Sequence, residues 1–218
     1  SIQTLPILLN PPSGLLLQPT KIYDRTGKTV LFTFAPDESS RRYIPLSDTN
    51  PQHLPQSLAD AIIATSDPNF YDHAGYNLAS ITNYELHDTL AQKLVSELLL
   101  FNEPPSLRRA LRERILAAQI TSQFGRAQIL EWYLNSAHFG RYAFGAESAA
   151  QLYFGKSATQ LSTAESAILA AVSDSPSLNP HDAPQVALQR GKETIRKMSA
   201  LGFLSDEATA NALGESPF

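Results

Sequence analysis

Residues Gln128 to Lys156, QILEWYLNSAHFGRYAFGAESAAQLYFGK, decide the fold. Ile129, Leu130, Tyr133 and Leu134 recur at helical period and make one apolar face, with Glu131 and Asn135 one turn apart on a neighbouring face. Gly140 and Gly145 bracket an aromatic loop, and a second helix is predicted from about Ala146 to Tyr153. Its small residues Ala146, Ala149 and Ala150 permit close packing, and Gly155 is placed as a C-cap. The stretch reads as a buried helical hairpin.

Helical patterning continues on both sides of it. Upstream, Pro55 suits a helix start, and Leu58, Ala61, Ile62 and Thr65 form a buried stripe. That helix must end near Asp67, because Pro68 disfavours helical geometry in the residue before it. Leu90, Leu94, Leu98 and Phe101 give a further apolar stripe, and Leu98 to Phe101, apolar on all sides, reads as core or as a surface that touches lipid, with core the favoured account. After Pro104-Pro105, Ser106 caps a helix predicted over Leu107 to Ile120. Leu107, Leu111 and Ile115 are expected to be its buried face, which puts Glu113 about 200° from Leu111 at 100° per residue. Periodicity leaves two readings of Glu113 open, a solvent-facing residue with Arg109 at i−4 or part of a cleft wall. Arg108, Arg109, Arg112 and Arg114 make this helix basic.

Downstream, Ser162-Thr163-Ala164-Glu165 is a capping box with Leu161 as its hydrophobic staple, so Glu165 has a structural role. Ala167, Ile168, Ala171 and Val172 bury the face of that helix. Leu188, Gly191, Ile195 and Met198 mark a long helix that Gly202 ends, and Ser205-Asp206-Glu207 opens the last one. Residues 1–50 are rich in proline and lack helical periodicity. Within them Lys21-Ile22-Tyr23 and Thr29 to Phe34 read as two strands around a turn, a hairpin expected to cover one side of the helical body. The expected organisation is an extended and β-hairpin segment over 1–50, then a mainly α domain over 51–218.

Composition narrows the function class. With 43% hydrophobic and 17% charged residues, the 218-residue chain has ordinary globular values and enough length for a proper core. A net charge of −4 supplies no overall pull toward nucleic acid, which is not an expected partner. The absence of cysteine excludes disulfides, thiol chemistry and Cys-ligated zinc. No metal or cofactor is expected. No apolar run approaches the roughly 20 residues of a membrane span. The chain lacks a signal peptide and does not begin with Met, so a fragment or processed form is expected.

Several motifs together resemble the family 51 peptidoglycan glycosyltransferases, the lipid II-polymerising modules of class A penicillin-binding proteins and their single-domain relatives. They are ILE-x-YLN, GA-x-x-AA-x-x-YFGK and LS-x-AE-x-A-x-LA, in matching order and spacing from Ala61 to about Ala210, about two thirds of the chain. The resemblance implies a lysozyme-like helical fold with a small N-terminal β element. It also implies action at the outer face of the bacterial cytoplasmic membrane, with anchoring by a helix outside these residues. No S-x-x-K or K-T-G element accompanies it, so no transpeptidase is expected within this chain.

The family pattern E-D-x-x-F-x-x-H-x-G is matched by Asp67, Phe70, His73 and Gly75, but Ser66 stands where the catalytic glutamate belongs. In the family that glutamate deprotonates the attacking sugar hydroxyl, and a serine hydroxyl cannot do this unaided. Asp67 and Asp72 are poorly placed to substitute, and Asp67 and His73 have sufficient roles as a hydrogen-bond acceptor and a packing histidine. The second motif, G-S-T-I-T-Q-Q-L-x-K-N, keeps Thr89, Gln92 and Leu94, while Ser96 replaces its lysine and Glu97 its asparagine. His87 precedes it instead of glycine, and Asn77 to Asn83 matches a short family helix in which Asn83 replaces an arginine. In R-K-x-x-E, Arg109 and Glu113 match and Ala110 replaces the lysine.

The resemblance thus assigns Ser66 and Glu113 to the catalytic positions, and Asp67, Phe70, His73, Thr89, Gln92 and Arg109 to the substrate cleft. The departures at Ser66, Asn83, Ser96, Ala110 and Pro105, near which the family has an arginine, fall on positions that handle substrate, whereas the packing motifs are nearly intact. The expected function is that of a peptidoglycan glycosyltransferase domain impaired by the loss of its base, with lipid II or a glycan strand as ligand. Two alternatives are a folded scaffold or precursor-binding module with cell-wall protein partners, and a polymerase whose base has moved. A hydrolase run by Glu113 alone is weakest, because glycoside hydrolysis normally needs two placed carboxylates.

Overall fold

The computed structural model describes residues 2–11, 20–34 and 42–217. Among them a helical body carries one small sheet, the mainly α class expected from the patterning. The elements are α1 (Leu5–Leu9), β1 (Thr20–Tyr23), β2 (Val30–Phe34), α2 (Gln56–Ser66), α3 (Leu90–Leu98), α4 (Leu107–Ser136), α5 (Ala146–Phe154), α6 (Thr163–Asp174), α7 (Pro184–Ala200) and α8 (Asp206–Gly214). Short α1 was not legible in the proline-rich N-terminal segment. The other proline-rich stretches, 12–19 and 35–41, lie outside the described residues.

Helix α2 is the axis of the body. Leu58, Ala59, Ala61, Ile62, Ile63 and Ala64 are all buried, wider than one stripe, because α6 covers one side and α7 another. Burying each of Leu58, Ile62 and Ile63 contributes about 1.5–3 kcal/mol. Polar contacts set the register: Ser57 Oγ meets Ser166 Oγ at 3.2 Å, and Thr65 Oγ1 meets Thr194 Oγ1 at 3.1 Å. The helix stops at Asp67, as Pro68 requires.

The hairpin around Gln128–Lys156 is buried as expected, with Ile129, Leu130, Trp132, Tyr133 and Leu134 in the core. Its polar face anchors the segment before α2. Glu131 accepts from Tyr43 Oη at 2.6 Å and from Leu46 N at 2.8 Å, while Asn135 exchanges hydrogen bonds with the backbone of Ile44. The capping box of α6 forms, and Lys156 Nζ joins Glu165 at 2.7 Å.

Helix α4 differs most from expectation. It runs thirty residues, through a break at Gly125 whose φ of 78° only glycine adopts readily. Its first half is turned the other way round. Leu107, Leu111 and Ile115 are 49%, 44% and 60% exposed, whereas Arg109, Ala110, Glu113, Arg114 and Ala117 are buried against α3. Small Ala110 and Ala117 let α3 approach, and every buried charge between them finds partners, so packing overrides apolar periodicity.

Three smaller expectations also fail. Phe101 is 69% exposed beyond the end of α3, while Leu100 goes into the core. Asn77 to Asn83 forms turns instead of a short helix, with its backbone tied by Asn77 Oδ1 accepting from Ala79 N. The β1–β2 hairpin does not cover the body, since Ile22, Tyr23, Val30, Leu31 and Phe32 are all exposed. A run of consecutive apolar strand residues points to both faces of a sheet, and one helical layer cannot bury both.

Candidate functional site

The junction of α2, α3 and α4 brings the motif residues together. Thr89 caps α3: its Oγ1 accepts from Gln92 N at 3.1 Å and donates to Gly75 O at 2.7 Å. Gly75 is fixed by its φ of 92° and by Thr121 and Ala117, which a Cβ there would strike. Gln92, fully buried, accepts from Asn77 N and donates through Nε2 to Glu113 Oε1, both at 2.9 Å.

Glu113 is the centre of this network and only 1% exposed, so the solvent-facing alternative is corrected. Arg109 Nη1 lies 3.5 Å from Oε2, Arg114 Nη1 lies 3.9 Å from Oε1, and His87 Nδ1 approaches Oε2 to 2.9 Å. The His87 contact is not aligned as a hydrogen bond, and it is an ion pair only when the imidazole is protonated. Ser96, in the place of the motif lysine, is itself bound: Arg109 Nη2 donates to its Oγ at 2.7 Å, and His87 Nε2 lies at 3.0 Å. Two of the arginines near the start of α4, Arg109 and Arg114, are therefore held inside the junction. Arg114 is held by Asn77 O, Ala110 O and Ser80 Oγ, while Arg108 and Arg112 stay outside.

Asp67, Phe70 and His73 brace the loop after α2. Asp67 is buried and accepts from His73 Nε2 at 2.8 Å and from Leu90 N at 3.0 Å, joining the end of α2 to the start of α3. His73 Nδ1 in turn accepts from Gly75 N at 2.9 Å. Phe70 fills the core, and Arg126 ties the backbone oxygens of Phe70 and His73 to α4. These side chains are occupied in holding the loop.

Ser66 is bound through Lys93 and not through the Glu113 network. Its Oγ accepts from Lys93 Nζ at 3.1 Å, and that ammonium lies 3.6 Å from Asp174 at the end of α6. Arg190 reaches the same carboxylate at 3.1 Å, so two cations gather where the helix dipole favours them. The Tyr133 phenol lies close to the hydroxyls of Ser66 and Ser173; burial pushes its pKa up, and the charge of Glu97 adds to that shift.

A cavity of about 680 Å³ opens beside this junction, lined among others by Ser96, Glu97, Arg109, Arg42, Asn135 and His138. Arg109 lies in its wall with its Nε buried and without a hydrogen-bond partner. Along one rim Leu98, Phe101 and Phe144 make it apolar. A cationic wall beside an apolar rim suits an amphiphile with an anionic head. Sequence reasoning passed over Lys93, His87 and Tyr133 as site residues. Lys93 was findable, since it follows Gln92 within the motif and stands one helical turn before Glu97.

The sequence also matches known proteins. The Transglycosylase family profile matches residues 28–199. Penicillin-binding protein 1A of Rickettsia felis is 37% identical over 91% of this chain, and that of Aquifex aeolicus 32% over 97%. Penicillin-binding protein 2D of Bacillus subtilis is 30% identical over 94%. The chain spans between 26% and 30% of the length of these relatives. A solved structure, penicillin-binding protein 1A of Haemophilus influenzae, is 24% identical over 91% of this chain and 20% of that one, with a TM-score of 0.49. With the profile covering most of its length, the chain belongs to the transglycosylase family, the family 51 peptidoglycan glycosyltransferases.

Proposed function

We propose that this chain is a lipid II-handling glycosyltransferase domain whose donor cleft is retained and whose polymerising step is impaired at position 66. One observation carries the reading: Arg109, buried and ion-paired to Glu113, lies in the wall of the apolar-rimmed cavity. A guanidinium held in place this way sets a fixed positive charge beside the space that a pyrophosphate would occupy. The exposed face Leu107, Leu111 and Ile115, with Phe101 nearby in sequence, offers an apolar surface to lipid. Work at the outer face of the cytoplasmic membrane in cell-wall synthesis follows from that reading. No helix among the described residues is long and apolar enough to cross a membrane.

The impairment rests on Ser66. A hydroxyl that accepts a hydrogen bond from an ammonium is a poorer base still, because the lone pair needed for the proton is engaged. Ser66→Glu places a carboxylate within reach of Lys93, which would keep it ionised. Polymerisation of radiolabelled lipid II by this variant is expected to exceed that of the unmodified chain, because a carboxylate at this position supplies general-base assistance that a serine cannot. Equal rates would refute the impairment. Lysine at position 110 is not part of this repair, since Ala110 is buried against α3 and has no room for it.

A further inference from the structure

The residue that touches Ser66 has a carboxylate one helical turn further along its helix. Glu97 stands one helical turn beyond Lys93 on α3, and Lys93 is the residue whose ammonium touches Ser66. Four residues of helix advance about 6 Å, so both side chains serve the same region of the junction. The Tyr133 phenol lies close to the Ser66 hydroxyl and within the field of the Glu97 charge. Glu97 also lines the 680 Å³ cavity beside Ser96 and Arg109, with its side chain open to that space. The junction thus holds a carboxylate at 97 and an ammonium at 93, where the motif has asparagine and glutamine.

We propose that Glu97 is the general base of this domain and takes the proton that Ser66 cannot accept. The proposal rests on the lipid II reading above. In the step, the acceptor sugar hydroxyl gives its proton to the Glu97 carboxylate as its oxygen bonds to the anomeric carbon of the donor. The bond from that carbon to the pyrophosphate breaks, and its electron pair leaves with the lipid pyrophosphate. Glu97 then releases the proton to solvent through the open cavity. Arg109 faces the leaving group, so base and cation lie in one cavity wall.

Environment suits the role. Burial raises the Glu97 carboxyl above the ordinary glutamate range, while the charges of Lys93 and His87 pull the other way. The groups facing it are Lys93 on its own helix, His87 on the preceding loop and Tyr133 on α4, with Arg42, Arg109 and His138 around the cavity and Asp174 beyond Lys93. A raised carboxyl is a stronger base, and its reaction is lost as pH falls through the raised pKa.

The test is Glu97→Gln in this chain, with folding checked by thermal melting. Polymerisation of radiolabelled lipid II by the unmodified chain is expected to fall by at least about 10²-fold in the variant. Lipid II binding should be unchanged, and the acid limb of the pH–rate profile should disappear. Asp72→Asn, which removes an exposed carboxylate of the loop after α2, should leave the rate as it was. Retained polymerisation in Glu97→Gln would overturn the proposal. So would an unmodified chain that binds lipid II and forms no polymer above an enzyme-free control, an outcome that leaves the cleft reading standing. Failure to bind lipid II at all would remove the cleft reading, and this proposal with it.

Discussion

Glu113→Ala is expected to destabilise the fold by about 3–5 kcal/mol, the range for breaking a buried ion pair by removing one partner. Glu113 is the only carboxylate within ion-pair distance of Arg109 and Arg114 among the described residues, and both arginines are buried. Gln92 Nε2 would also lose its acceptor. The substitution therefore leaves two cations and an amide in a site with little water. Urea unfolding should show a lower midpoint at an unchanged slope. Glu113→Gln should cost less, because it keeps an oxygen for Gln92. A loss under about 1 kcal/mol for Glu113→Ala would place the arginines in a wetter site than the structure shows.

Asp67→Ala should cost about 3 kcal/mol, since it orphans two groups at once. The backbone N–H of Leu90 begins α3, and an unpaired buried donor alone costs about 1–3 kcal/mol. His73 also loses its acceptor and with it the orientation that lets Nδ1 receive Gly75 N. Asp67→Asn keeps one acceptor oxygen and should lose roughly half as much. Amide hydrogen exchange at Leu90 reads the effect directly: protection should fall in both variants and most in Asp67→Ala. Unchanged protection would show that the carboxylate does not join α2 to α3.

Much of the fold was legible because its strongest segments obey one period. Ile129 to Leu134, the α6 capping box and the proline stop after α2 each state their structure locally. The first half of α4 was not legible, and the reason is physical. Leu107, Leu111 and Ile115 carry the apolar period, yet the face that packs is Arg109, Ala110, Glu113, Arg114 and Ala117. Periodicity assumes that charge stays out, and here Ser96, Gln92, Asn77 and Ala110 supply partners from two segments distant in sequence and from the helix itself. The motif residues Thr89, Gln92, Arg109 and Glu113 do meet in one network. The link between Ser66 and Lys93 was hidden because it forms only when α2 ends against the side of α3.

Charge in the cleft follows the same logic. Arg109 and Arg114 look equivalent in the sequence, but Arg114 spends its donors on Asn77, Ala110 and Ser80, and Arg109 alone of the two lines the cavity. Their removal should therefore be felt differently, in ligand affinity for one and in stability for the other.

Arg109 is expected to make this cavity a site for a lipid-linked pyrophosphate. Titration of lipid II into the unmodified chain, Arg109→Ala and Arg114→Ala, each held below its own unfolding temperature, tests it most directly. Binding is expected to weaken as salt rises, and to fall by about 10-fold or more in Arg109→Ala, the range for a charge-assisted hydrogen bond. Arg114→Ala should bind as the unmodified chain does while melting at lower temperature. Absence of binding, or equal losses in the two variants, would contradict the account.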